Sequence, residues 1–122
     1  MRTWIYSSLP SNVRPFTTET CDDGLFEVLD HERAGSELYI QVRISCAEGR
    51  YRADPAAVAI FDQFSEAYRN NPPLDRPALE ARSVSAGSPA EGWVRFHDVP
   101  SGEVTVLLLG YRRTTTAVPL QT

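Results

Sequence analysis

The stretch Gly92-Trp93-Val94-Arg95-Phe96-His97-Asp98-Val99-Pro100-Ser101-Gly102-Glu103-Val104-Thr105-Val106-Leu107-Leu108-Leu109-Gly110-Tyr111 decides the fold. Two β-rich runs, 92–98 and 103–111, flank Val99-Pro100-Ser101-Gly102, with proline at the second position and glycine at the fourth, as a type I turn prefers. This arrangement predicts a β-hairpin. In the second run both alternating sets are largely apolar, Val104, Val106 and Leu108 against Leu107, Leu109 and Tyr111. Such a strand is expected in the middle of a sheet, covered on both faces. In the first run Val94 and Phe96 take one side, while Trp93, Arg95 and His97 share the other.

Working outward, residues 38–46 alternate Leu38, Ile40, Val42, Ile44 and Cys46 with Tyr39, Gln41, Arg43 and Ser45, the period-two signature of a half-buried strand. Residues 25–29 predict a shorter strand, with 30–36 and its Gly35 as the connecting turn. Residues 79–84 predict another strand, followed by a polar Gly/Ser/Pro loop at 85–91. Residues 54–71 read two ways. Asp54-Pro55 is a good cap and first-turn pair, and Ala57, Ile60, Phe61, Phe64 and Tyr68 cluster on one helical face ending at Asn70-Asn71-Pro72-Pro73. The same segment reads as a strand, Val58-Ala59-Ile60-Phe61, entering a long loop; local signals favour the helix. Pro10, Pro15 and many Ser/Thr residues predict an extended arm over 1–24 with a short edge strand near Trp4 to Tyr6. The domain proper is expected over 25–113, and 114–122 as a tail, either edge strand or disordered.

At the 92–111 stretch the chain resembles the closing strands of carboxypeptidase regulatory-like domains, which belong to the transthyretin-like, or prealbumin-like, β-sandwiches. Phe96, Asp98, Pro100, Gly102 and Val106 match that group's pattern, and Val104 stands where an aromatic is common. Pro55-Ala56-Ala57-Val58-Ala59-Ile60-Phe61-Asp62 also resembles a strand of the group. The resemblance implies a mainly β protein, a Greek-key sandwich of about seven strands with one short helix around 55–70. Two activities of the group do not transfer. Isopeptide-forming repeats need a lysine. The purine-pathway hydrolase carries a C-terminal Tyr-Arg-Gly-Ser motif, where this chain has Tyr111-Arg112-Arg113-Thr114 and continues. What the resemblance leaves is a non-catalytic module used for adhesion, domain support or protein contact.

Composition agrees. All 12 basic residues are arginine, so Schiff-base, serine-lysine and phosphate-loop chemistries that need an ε-amine are excluded. With 16 acidic residues and a net charge of -4, nonspecific nucleic-acid binding is not expected. At 122 residues the chain suits a single domain burying roughly two-thirds of its unfolded surface. No apolar run approaches the roughly 20 residues of a membrane span, and residues 1–10 lack the apolar centre of a secretion signal. The protein is therefore expected in the cytoplasm, with no membrane partner. On that compartment rests the expectation for Cys21 and Cys46, two buried or half-buried thiols, although a bridge would add about 3.5 kcal/mol.

Other constellations carry less. His97 and Asp98 are adjacent on a strand and point to opposite faces. Cys21 with His31 lacks an activating environment, because Asp22 and Asp23 would raise the thiol pKa. No metal-ligand spacing or calcium-loop pattern occurs, so no cofactor, metal or small-molecule substrate is expected. Trp93, Arg95 and His97, joined by Tyr111, Arg112 and Arg113, are the candidate binding residues, since tryptophan and arginine are enriched where proteins bind one another. The expected function is non-catalytic: a protein–protein interaction module, a small accessory or structural subunit of a larger bacterial assembly, phage-like or contractile. The competing expectation is a small hydrolase or metal-binding enzyme on the same fold.

Overall fold

The alternation at residues 38–46 becomes strand β3 (Glu37–Cys46), whose Leu38, Ile40, Val42, Ile44 and Cys46 are buried to the last atom or nearly so. The computed structural model describes residues 9–110 and 114–122. Among the described residues ten strands build two four-stranded antiparallel sheets and a two-stranded one. The first sheet orders β1 (Val13–Phe16), β2 (Gly24–Ala34), β3 and β8 (Ala90–His97). The second orders β10 (Thr114–Gln121), β9 (Glu103–Leu109), β5 (Val58–Asp62) and β6 (Ala67–Arg69). β4 (Tyr51–Ala53) pairs with β7 (Arg82–Val84). Phe26, Leu38, Ile40 and Phe96 from the first sheet meet Ile60, Val104, Val106 and Leu108 from the second in one core, which makes the molecule a β-sandwich.

The 92–111 stretch is not a hairpin. β8 pairs with β3 and β9 pairs with β5 and β10, so residues 98–102 carry the chain from one sheet to the other. The reason lies at the edges of β8. One edge is taken by β3, and the other by Asn71, Pro77 and Leu79, whose backbones bond to those of Trp93 and Arg95. β9 has no edge left there, and Gly102 exchanges backbone hydrogen bonds with Thr122 instead. Asp98 and Gly102 turn the chain with φ of 57° and 131°. The buried Val99 plugs the corner, and Arg33 donates to the Val99 and Pro100 carbonyls at 2.6 and 3.2 Å. The central position expected for the second run holds, since β9 lies between β10 and β5, but cover on both faces does not: on the outer face Leu107 is buried while Thr105 and Leu109 are half-buried.

The helix expected over 55–70 shrinks to one 3₁₀ turn, Pro55–Ala57. Asp54 caps it by accepting from the Ala56 N–H at 2.9 Å, and the chain then extends as β5 because Val58 and Ile60 reach the core only at period two. The helical face would have grouped Phe61 and Phe64 with Ile60, yet both are exposed. β2 is longer than expected and runs to Ala34, leaving Gly35 and Ser36 as a two-residue loop with Gly35 at φ 63°. A bulge between Val28 and Asp30 shifts the register, placing Asp30 and Glu32 opposite Gln41 and Tyr39 on the outer face. Val13–Phe16 and Thr114–Gln121 pair as edge strands, so the sandwich reaches beyond 25–113 on both sides. The expected strand near Trp4 to Tyr6 lies outside the described residues.

Cys21 and Cys46 form a disulfide, with Cα atoms 6.1 Å apart and exposures of 0% and 1%. Cys46 projects inward from β3, and Cys21 lies on a bridge to Gly49, where φ is 96° and a Cβ would collide with the Thr20 carbonyl. Two free thiols are therefore ruled out, and the cytoplasmic expectation that led to them falls with them. Such bridges form and persist in oxidising compartments.

Candidate functional site

Alternation places Trp93, Arg95 and His97 together on the outer face of β8, opposite Gln41, Tyr39 and Glu37 of β3. Val94 and Phe96 point the other way into the core, as expected. The face is neither plain core nor open surface. Trp93 and Arg95 are half-buried and His97 is exposed.

Residues 70–79 form a strap over this face. Asn71 pairs with Arg95 through two backbone hydrogen bonds of 2.7 and 3.0 Å. The chain then leaves the sheet and returns where Pro77 accepts from the Trp93 N–H at 2.9 Å and Leu79 donates to the Trp93 carbonyl at 3.0 Å. Gly92 permits this return, because a Cβ there would collide with the Leu79 backbone. At the strap's crest Arg76 lies over two rings, 3.8 Å from the centroid of Tyr39 and 4.8 Å from that of Trp93. Its guanidinium also reaches Glu32 at 2.9 Å and Asp75 at 3.1 Å. The hydrogen bond to Asp75 is the main reason that the Arg76 pKa is raised, and it lowers that of Asp75.

Glu37 organises the rest. It accepts from the Tyr39 hydroxyl at 3.1 Å, lies 2.9 Å from His97 Nδ1 and 3.7 Å from Arg95 Nη1. Burial, followed by the hydrogen bond to Glu37, pushes the Tyr39 phenol pKa up, so Tyr39 stays a neutral ring beneath Arg76. Farther along, Arg43 bridges Glu91 at 2.8 Å and Glu27 at 3.8 Å. Beneath the strap a crevice of about 150 Å³ is lined by Pro55, Asn70, Pro72, Leu79, Trp93 and Val94. What the arrangement does chemically is present planar, cationic and acidic groups held in place by one another.

Of the candidate residues, Trp93, Arg95 and His97 come together as expected, whereas Tyr111, Arg112 and Arg113 lie outside the described residues. Tyr39, Glu37 and Glu32 were missed. The alternation at 38–46 puts Tyr39 on the outward set, a signal that was available, but nothing local marks Arg76 as its stacking partner. His97 turns to Glu37, and Cys21 is bridged, so no thiol is free to pair with His31. Among the described residues no three His, Cys, Asp or Glu side chains converge in a way that could hold a metal ion.

By fold the chain is a β-sandwich, and comparison with solved structures bears this out. MPT63, a secreted protein of Mycobacterium tuberculosis, superposes with a TM-score of 0.60 at 11% identity over 79% of this chain and 82% of its own. A Bacillus subtilis protein described as a lipoprotein, ycdA, superposes with a TM-score of 0.62 at 14% identity over 88% of this chain, which spans 39% of that protein. At these identities the likeness is one of fold. No family model matches the chain, and no curated protein matches it significantly.

Proposed function

We propose that this protein is a non-catalytic protein–protein interaction module, an accessory or structural subunit that works outside the cytoplasm. The observation that carries the reading is the outer face of the first sheet, where Trp93, Tyr39, Arg76 and Arg95 stand preordered by stacking and ion pairs. Rigid aromatic and arginine side chains give contact area and forked hydrogen bonds at low entropic cost, which is why they dominate binding hot spots. The buried disulfide supports the compartment. So do the similar structures, one described as secreted and one as a lipoprotein, both bacterial. The transthyretin-like resemblance at Phe96, Asp98, Pro100, Gly102 and Val106 points to the same non-catalytic role, although that stretch joins two sheets here instead of closing a hairpin.

The test is the association state of the purified chain, alone and with extracytoplasmic extract of its source cells, for wild type, Trp93→Ala and Arg95→Glu. The expected result is a discrete complex, or a self-associated species, that both variants lose while keeping native circular dichroism. Identical sedimentation of all three folded proteins in both settings contradicts the reading.

A further inference from the structure

Arg76 sits where a ligand would. Two rings, Tyr39 and Trp93, lie within 5 Å of one guanidinium carbon, and a sheet-borne carboxylate, Glu32, takes its Nη2 at 2.9 Å. Ring faces attract cations electrostatically, and a planar guanidinium adds stacking and directed N–H donors that a compact ammonium lacks. The two halves of this arrangement differ in how they are held. Tyr39, Trp93 and Glu32 belong to three paired strands of one sheet. Arg76 rides on the strap, and among the described residues no backbone hydrogen bond ties 72–76 to the sheet. Pro72 and Pro73 have no N–H to donate, so the strap is held here by the burial of Pro73 and not by hydrogen bonds, and Leu74 just beyond is 90% exposed.

Charge complements the geometry. If Arg76 and its neighbour Asp75 swing away together, Glu37 keeps its partner Arg95 beside the rings while Glu32 loses the partner it had in Arg76. The vacated rings are then floored by aromatic faces and rimmed by excess negative charge, which favours an incoming cation of the same shape.

We infer that Tyr39, Trp93 and Glu32 form a guanidinium-recognition box, occupied by Arg76 as an internal ligand, and that the external ligand is an arginine side chain of the protein partner. This deepens the proposed interaction role and rests on it. The two are tested apart: box occupancy is read on the isolated chain with small cations, whereas the interaction role is read by association.

The experiment uses a Trp4→Phe background, which leaves Trp93 as the reporting indole. Trp93 fluorescence is titrated with methylguanidinium chloride, tetramethylammonium chloride and, at matched ionic strength, sodium chloride. Arg76→Ala empties the box, and Arg76→Gln empties it of charge while keeping a polar side chain on the strap, in case the alanine variant does not fold. The expected result is a saturable response to methylguanidinium in the folded Arg76 variant, with half-saturation at least about ten-fold lower than in the Arg76 parent, where the internal ligand competes. Adding Glu32→Gln is expected to weaken that response, and tetramethylammonium to bind less tightly because it offers no N–H. A response no different from sodium chloride in folded variants overturns the box. Equal half-saturation with and without Arg76 overturns the internal-ligand assignment, and tetramethylammonium binding as tightly as methylguanidinium overturns the choice of arginine.

Discussion

Asp62 is the buried acid of the second sheet, at the end of β5. Its carboxylate accepts from the Phe64 and Glu66 N–H groups at 2.8 and 2.9 Å and from the Tyr68 hydroxyl at 2.8 Å, closing the β5–β6 hairpin. Burial pushes the Asp62 pKa up, but these three donors outweigh it and the net shift is downward from 3.8. Burial and the Asp62 hydrogen bond push Tyr68 from 10.0 to about 12. The signs follow. Asp62 contributes stability above pH 3.8, lost as pH falls through its lowered folded value, and Tyr68 contributes stability below pH 10.0, lost as pH rises toward about 12. Urea midpoints measured across pH are expected to drop at both ends in the wild type, and Asp62→Asn is expected to shrink the acid limb to the part that Asp75 contributes. At Gly49 the positive φ and the Thr20 carbonyl together forbid a side chain, so Gly49→Ala is expected to cost roughly 2–4 kcal/mol by the same assay. At this scale the sequence was legible where alternation speaks: Trp93, Arg95 and His97 do share a face. It was silent about Arg76, because a residue stacking across a loop leaves no periodic trace, and about Asp62, whose donors come from the turn and strand that follow it.

Elements were legible as strands more readily than as partners. The alternation at 38–46 and the apolar run at 103–109 each became a strand inside a sheet, the second without the full outer cover its apolar run implies. The proline and glycine at 100 and 102 marked a place where the chain bends, but not the expected type I turn, because the Gly102 N–H bonds to the Thr122 carbonyl, and turn chemistry does not say whether the flanking strands stay in one sheet. That was settled by competition for the edge of β8, won by the strap. Likewise the Asp54-Pro55 cap was read correctly and still starts only one 3₁₀ turn, since core packing of Val58 and Ile60 overrides local helix preference. Two outcomes test this level. Gly92→Ala is expected to push the strap's return leg off β8, lowering stability by about 1–3 kcal/mol and shifting Trp93 emission to the red. Cys21→Ala/Cys46→Ala is expected to cost about 3.5 kcal/mol in urea unfolding, the loop-closure value for this spacing.

As a whole the molecule is a sandwich stapled by a buried disulfide, with one outer face left polar, aromatic and preordered. Fold class followed from strand patterning; the compartment did not, because the distance between Cys21 and Cys46 is a product of the β2–β3 pairing and the loops beyond it. The face's role as a binding surface is the central claim, and site-specific photocrosslinking in the source cells tests it most directly. A photoreactive phenylalanine analogue replaces Gln41, next to Trp93 on the outer face, or Thr105, on the opposite side of the second sheet from the core. The prediction is one discrete adduct from position 41, abolished by Trp93→Ala, and none from position 105. No adduct from position 41, or the same adduct from both positions, contradicts it.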